Sequence, residues 1–153
     1  MPPFVRPTRC LSSGSVMLRP ETRARARALQ VLYSMEMTQG LSVQDAVTRL
    51  ARLTGPDPTV YDLTESLARA VVSERDELDR LAAEAADNWR LERIAAVERG
   101  ILRIGIHELL RGETPPKVAI DEAVQLAHWF GGPKAPPFIN GVLDRVARSL
   151  GRL

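Results

Sequence analysis

The chain has 153 residues, which is enough to bury a core and fold without disulfides. Its hydrophobic (44%) and charged (26%) fractions are ordinary for a globular protein, and only 5% aromatic residues favours helices over a β-sandwich. The single cysteine, Cys10, excludes an internal disulfide, no Cys/His cluster has zinc spacing, and no apolar run has membrane-spanning length. We therefore expect a reduced cytoplasmic protein with no metal or other cofactor and no membrane partner.

Charge is distributed unevenly along the chain. Residues 1–30 contain six arginines and one acid, whereas the remainder contains 15 basic and 18 acidic residues. The net charge of +2 therefore divides into a basic arm and a mildly acidic body, and basic arms commonly bind phosphate. Residues 1–18 precede the periodic sequence, so we expect a disordered tail or a mis-called start, with Met17 as the true first residue.

Apolar residues recur every three or four positions and predict about seven helices and no strand, which is an all-α fold. A first helix is predicted over 21–39, and Gly40 ends it. A second helix follows Ser42, which has capping-box spacing to Asp45. Asp57 is the predicted N-cap of a third helix, because the proline after it suits the first helical position.

In the second half of the chain, Ser73 is predicted to cap a fourth helix, and a fifth opens near Asn88. Gly105 lies inside the fifth helix, where glycine costs helix propensity and so indicates close packing against a neighbour. A break at Pro115-Pro116 precedes the sixth helix. The last helix starts around Pro136-Pro137.

No arrangement of residues has the pattern of a catalytic site. His107 and His128 are the only histidines, and neither has metalloprotease spacing to another. Gly131-Gly132-Pro133-Lys134 resembles a phosphate-binding loop, but nearby prolines remove the amide donors that such a loop needs. Acidic residues such as Glu98 and Glu108 are more typical of salt bridges on helices. We therefore predict that the protein is not an enzyme.

The arginines of the first helix are the strongest functional signal. Arg19, Arg23 and Arg27 are spaced four apart and share one helical face, whereas Arg25 lies about 200° around the helix from Arg23. Such a group of guanidinium ions can bind phosphates at several points. Arginine near a helix N-terminus also opposes the macrodipole, which favours an anionic partner. The alternative is a solvated arginine-rich face.

A second candidate surface lies at the start of the last helix. Lys134 precedes Phe138, so this segment can offer one phosphate contact and one stacking platform for an unpaired base. The alternative is that Phe138 is a core residue or a hydrophobic staple.

Four segments resemble the NusB family over about residues 19–150. Any one of them is a weak signal, but four in the same order are specific to the family. They are RARARA at 23–28 with QVLYS at 30–34, VERGILRI at 97–104 with ELL at 108–110, KVAIDEAV at 117–124 with LA at 126–127, and FINGVLD at 138–144. The resemblance implies two packed three-helix halves and one NusB-like RNA-binding helical domain over residues 19–153.

The function that the resemblance implies is transcription antitermination in a bacterium. It implies binding of boxA-type single-stranded RNA together with NusE, the small-subunit ribosomal protein that doubles as a transcription factor. The complex would join the RNA polymerase elongation complex and suppress termination, notably in ribosomal RNA operons. The resemblance is compatible with either a monomer or a homodimer.

Transferred to this chain, the resemblance adds Arg25 and Asn140 to the candidate RNA-binding residues and assigns Glu98 to the NusE interface. The predicted RNA-binding residues are Arg19, Arg23, Arg25, Arg27, Lys134, Phe138 and Asn140, and the predicted partner-binding residue is Glu98. The chain departs from the family at Pro136-Pro137, where relatives usually carry polar or basic residues.

Two alternative functions remain open at this stage. The same helical fold occurs as the RNA-binding front end of ribosomal RNA cytosine methyltransferases, although these 153 residues contain no cofactor loop. A helical scaffold without an RNA role is the other alternative, and the arginine face argues against it.

Overall fold

The computed structural model describes residues 18–87 and 93–153, and within these ranges all regular structure is helical, which confirms the predicted all-α fold. The seven α-helices of the described residues are α1 (Pro20–Met37), α2 (Val43–Thr54), α3 (Pro58–Ser73), α4 (Arg75–Ala85), α5 (Ala96–Arg111), α6 (Pro116–Phe130) and α7 (Ala135–Ser149). None of them is long and apolar enough to cross a membrane. Residues 1–17 of the predicted tail lie outside the described residues.

The chain forms two compact units, divided inside α3 between Arg69 and Ala70. We call the residues up to Arg69 the N-terminal unit, which contains α1, α2 and most of α3, and those from Ala70 the C-terminal unit, which contains α4 to α7. The family resemblance implies two three-helix halves; the N-terminal unit has three helices as expected, whereas the C-terminal unit has four. That residues 19–153 act as one domain stays a prediction.

Local capping sets the helix boundaries of the N-terminal unit. Pro20 occupies the first position of α1, where its fixed φ suits the helix. The side chain of Ser42 accepts a hydrogen bond of 3.1 Å from the Asp45 amide at the start of α2, as predicted. Asp57 likewise caps α3, because its Oδ1 accepts from the Val60 amide at 3.5 Å.

The core of the N-terminal unit joins its three helices. Val31 of α1, Val43 and Ala46 of α2, and Ala68 of α3 are buried in one cluster. The Thr64 hydroxyl is fully buried and donates to the Val60 carbonyl at 2.8 Å. The buried stripe of α1 is therefore committed to packing, and only its other face is available to solvent.

In the C-terminal unit, α5 is the central helix and packs against α4, α6 and α7. Apolar residues around most of its circumference are buried, as expected for a helix enclosed by neighbours. An ideal Cβ at Gly105 would lie 2.7 Å from Leu143 Cδ1 of α7, which confirms the close packing predicted there. Arg103 of α5 forms a two-point ion pair with Asp79 of α4, at 2.7 and 3.1 Å.

Two details of the sequence prediction were wrong. Ser73 does not cap α4, because it remains in the last turn of α3 and its hydroxyl donates to the Ala70 carbonyl at 2.9 Å. The fifth helix, predicted to open near Asn88, begins at Ala96 as α5, and the buried Ile94 precedes it; Asn88 itself lies outside the described residues. Three large apolar side chains of α2 and α3 are exposed; these are Leu53, Leu63 and Val72.

Candidate RNA interface

The predicted arginine face lies on the first two turns of α1. Arg19 is exposed directly before the helix, and Arg23 and Arg27 are half-buried at one-turn intervals, which correspond to a rise of about 6 Å. Arg25 is turned away from them and is only 8% exposed. The three spaced arginines therefore share a surface, whereas a role for Arg25 in RNA binding stays a prediction.

Two neighbouring side chains orient Arg23 and Arg27. Arg23 Nη2 lies 2.8 Å from Asp57 Oδ2, and each side chain of this ion pair is 32% exposed. Arg27 Nη1 donates to Oε1 of the buried Gln30 at 3.1 Å. The face is thus partly ordered within the protein, because its guanidinium ions are held by an anchored acid and amide.

An open cavity of about 580 Å³ lies in the C-terminal unit, at the junction of the segment before α5 with the start of α7. Its walls are mainly apolar, with basic side chains and one carboxylate among them. The residues that form them are Arg93, Ile94, Ala95, Glu98, Gly132, Pro133, Lys134, Ala135 and Phe138. Glu98, Lys134 and Phe138, which the sequence analysis placed at two different interfaces, therefore meet at one pocket.

The turn between α6 and α7 positions one wall of this pocket. Gly131 ends α6, and the Gly132 amide donates to Glu98 Oε1 across a long distance of 3.4 Å. The Ala135 amide donates to the Gly132 carbonyl at 3.0 Å, which closes the turn just before α7. Glu98 itself lies in the first turn of α5, where a negative charge is favoured by the helix dipole.

Two prolines limit what the start of α7 can bind. Pro136 and Pro137 lie in the first turn of this helix, so neither position has an amide to donate to a phosphate. The exposed Lys134 side chain is therefore the basic group available at that end of α7. Asn140 is exposed on α7 but does not line the pocket.

Two residues beside the predicted site were not singled out from the sequence. Asp57 was predicted only as a helix cap, although it also pairs with Arg23. Arg93 lines the pocket, and its basic side chain was the only signal that could have suggested it. The Arg23–Asp57 pair and the walls of the pocket each join residues that are distant in sequence, so no local spacing could reveal them.

His107 and His128 belong to no metal-binding cluster in the part of the chain that the structure describes. His107 is buried in α5, and its Nδ1 lies 3.0 Å from Glu74 Oε2 without the alignment of a hydrogen bond. Within residues 18–87 and 93–153, no group of three or more His, Cys, Asp or Glu residues could hold a metal ion.

The turn that forms the pocket wall can be tested with neighbouring glycines. An ideal Cβ at Gly131 would lie 2.6 Å from Ala135 Cβ and 2.8 Å from the Ala127 carbonyl oxygen, whereas one at Gly132 would meet no heavy atom within 4 Å. We expect Gly131→Ala to lower the free energy of unfolding by about 1–3 kcal/mol because the backbone must shift. Gly132→Ala is the control and should unfold like the wild type in urea. Equal stability of the two variants would contradict this packing.

Comparison with known proteins places the whole helical region in one family. The NusB family model matches residues 22–148. A transcription antitermination protein NusB from Anaeromyxobacter dehalogenans (strain 2CP-1 / ATCC BAA-258) is 41% identical over 135 residues, which cover 88% of this chain and 94% of that protein.

Solved structures have the same fold. T. maritima NusB superposes with a TM-score of 0.77 at 27% identity, covering 86% of this chain and 93% of that one. A NusB solved with NusE and double-stranded RNA superposes with a TM-score of 0.75 over 87% of this chain and 99% of that one, and at 24% identity this likeness shows the fold alone. On the family match and the 41% identity of a full-length relative, this chain belongs to the NusB family.

Proposed function

We propose that this protein is a transcription antitermination factor that binds boxA-type single-stranded RNA together with NusE and helps to suppress termination, notably in ribosomal RNA operons. Membership of the NusB family supports this function, since the relatives that match most of the chain are transcription antitermination proteins. The proposed setting is the cytoplasm, on the RNA polymerase elongation complex.

The observation that carries the proposal is the arginine face of α1. Arg19, Arg23 and Arg27 present positive charge along one side of a helix whose other side is buried in the core. Because the helix is fixed by packing, these guanidinium ions need little reordering to bind successive phosphates. Phosphate contacts of this kind release counterions, so they supply affinity that falls with salt.

The pocket of the C-terminal unit supports a second type of RNA contact. Phe138 forms part of a mainly apolar wall, and Lys134 lies at the same pocket. An unpaired base can stack on an aromatic ring while its phosphate pairs with a nearby lysine. Glu98, which lines this pocket, remains our candidate contact for NusE, and Asn140 remains a candidate RNA contact on α7.

The experiment that tests the proposed function directly is a titration of RNA with this protein, in the presence and in the absence of NusE. We expect a fluorescent boxA-like single strand to bind the chain, and to bind more tightly when NusE is present, because RNA held by two surfaces gains the contacts of both. Fluorescence anisotropy measures both affinities. A strand of scrambled sequence is the control, and absence of binding to both RNA and NusE would refute the proposed function.

Charge reversal on the arginine face should weaken RNA binding. We expect Arg23→Glu combined with Arg27→Glu to lower affinity roughly tenfold or more at about 0.1 M salt, because two phosphate contacts are lost. The slope of log affinity against log salt should decrease in magnitude by about 1.4, at roughly 0.7 for each contact to a single strand.

A matched control for this variant lies on the C-terminal unit. Arg111→Glu combined with Arg148→Glu makes the same change in net charge at two exposed arginines outside the candidate site. If this control lowers affinity and slope as much as the α1 variant, then only net charge matters and the assignment of the face is wrong.

If RNA bases stack on Phe138, removal of its ring should lower the affinity for RNA by a factor that does not depend on salt. We expect Phe138→Ala to cost about 1–3 kcal/mol of RNA binding, since stacking on an aromatic ring contributes this much per base. The salt slope should stay unchanged because no charge is removed. Phe138→Tyr keeps the ring and should bind like the wild type. Equal losses in the two variants, after thermal unfolding has shown that both are folded, would rule out stacking.

A further inference from the structure

The ion pair between Arg23 and Asp57 lies within the proposed RNA surface. Arg23 is the middle arginine of the face on α1, and Asp57 ends the loop between α2 and α3 in the same N-terminal unit. The 2.8 Å separation of Nη2 and Oδ2 makes this a close ion pair. In the protein without RNA, a carboxylate therefore occupies part of the guanidinium that a phosphate would bind.

Asp57 is held in place by more than its arginine partner. Its Oδ1 accepts from the Val60 amide, and its own carbonyl accepts from the Tyr61 amide at 2.9 Å. Pro58 follows directly and fixes the backbone at the start of α3. The carboxylate is thus a fixed negative charge beside the arginine face and not a side chain that drifts past it.

The pair is suited to exchange its carboxylate for another anion. Each side chain keeps 32% of its surface exposed, so solvent and ligands can reach both charges. Exposed ion pairs contribute little to stability, and a phosphate offers the guanidinium equally good acceptors. While the pair is closed, its two charges largely cancel, so Arg23 adds little to the field that attracts RNA.

We propose that Asp57 is an intramolecular competitor that occupies Arg23 until an RNA phosphate displaces it, and that it thereby lowers the affinity of the arginine face for RNA. This inference rests on the proposed function, because it concerns regulation of the same surface. Binding of phosphate at Arg23 frees Asp57 Oδ2 from the guanidinium, while Oδ1 keeps its hydrogen bond with the Val60 amide. RNA that reaches only Arg23 gains little from this exchange, whereas RNA that also reaches Arg19 and Arg27 is retained.

The test removes the charge of Asp57 and keeps its cap. Asparagine is as good an N-cap as aspartate, so Asp57→Asn should leave α3 intact. We expect this variant to bind a boxA-like single strand about two- to fivefold more tightly at about 0.1 M salt. The salt slope should become steeper by about 0.7, because one more phosphate contact is made without an internal counterion.

Two further variants separate this effect from altered charge or folding. Asp62→Asn makes the same change in net charge at an exposed carboxylate on α3 and should change affinity less than Asp57→Asn does. Asp57→Ser also keeps a capping side chain without charge, and it should reproduce the result of Asp57→Asn. Circular dichroism and thermal unfolding establish that each variant is folded.

A double-mutant cycle with Arg23→Gln assigns the effect to the pair. Once Arg23 is replaced, Asp57→Asn should no longer tighten RNA binding. Equal tightening in both backgrounds, tightening no greater than that of Asp62→Asn, or weaker binding by Asp57→Asn would each overturn the inference.

The titration also distinguishes failure of this inference from failure of the proposed function. If the wild-type chain binds RNA and Asp57→Asn has unchanged affinity and slope, then only the competitor role is wrong. If the wild-type chain binds neither RNA nor NusE, then both the function and the competitor role are wrong.

Discussion

In the C-terminal unit, α5 and α7 pack closely at Gly105, where the Leu143 side chain fills the space over the glycine and an ideal Cβ would lie 2.7 Å from Leu143 Cδ1. This approach sets the place of α7 beside the buried central helix. The start of α7 and the turn before it then lie beside the first turn of α5, where the Gly132 amide contacts Glu98. The pocket that contains Phe138 therefore depends on helix packing more than one turn away from it.

The N-terminal unit imposes a different constraint, because α1 serves as both a core helix and a charged surface. Its apolar stripe is buried, and Val31 on that stripe packs with α2 and α3, which fixes the rotation of the helix about its own axis. That rotation exposes Arg19 and leaves Arg23 and Arg27 half-buried, while Arg25 is buried. A change that rotated α1 would exchange these environments, so the packing of the core also determines which arginines can reach an RNA phosphate.

Acidic residues that stabilise helix ends also shape both candidate surfaces. Asp57 caps α3 and pairs with Arg23, and Glu98 lies in the first turn of α5 and contacts the Gly132 amide at the pocket. Asp57 has one partner close in sequence, the Val60 amide, and one far from it, Arg23, whereas the partner of Glu98 is the distant Gly132 amide. Substitution of either acid therefore changes local helix stability and the electrostatics of the adjoining surface together, and neutral capping residues are needed to separate the two effects at Asp57.

The all-α fold, the helix order and caps such as Ser42 followed from the sequence, because amphipathic period and capping depend on residues within about four positions of one another. The spacing of Arg19, Arg23 and Arg27 also followed from helical geometry alone. Tertiary structure decided the rest: the burial of Arg25, the pairing of Arg23 with Asp57, and the pocket that joins Glu98, Lys134 and Phe138. These features bring together residues that lie far apart in the chain, so they depend on how helices pack, and local sequence patterns carry no information about such contacts.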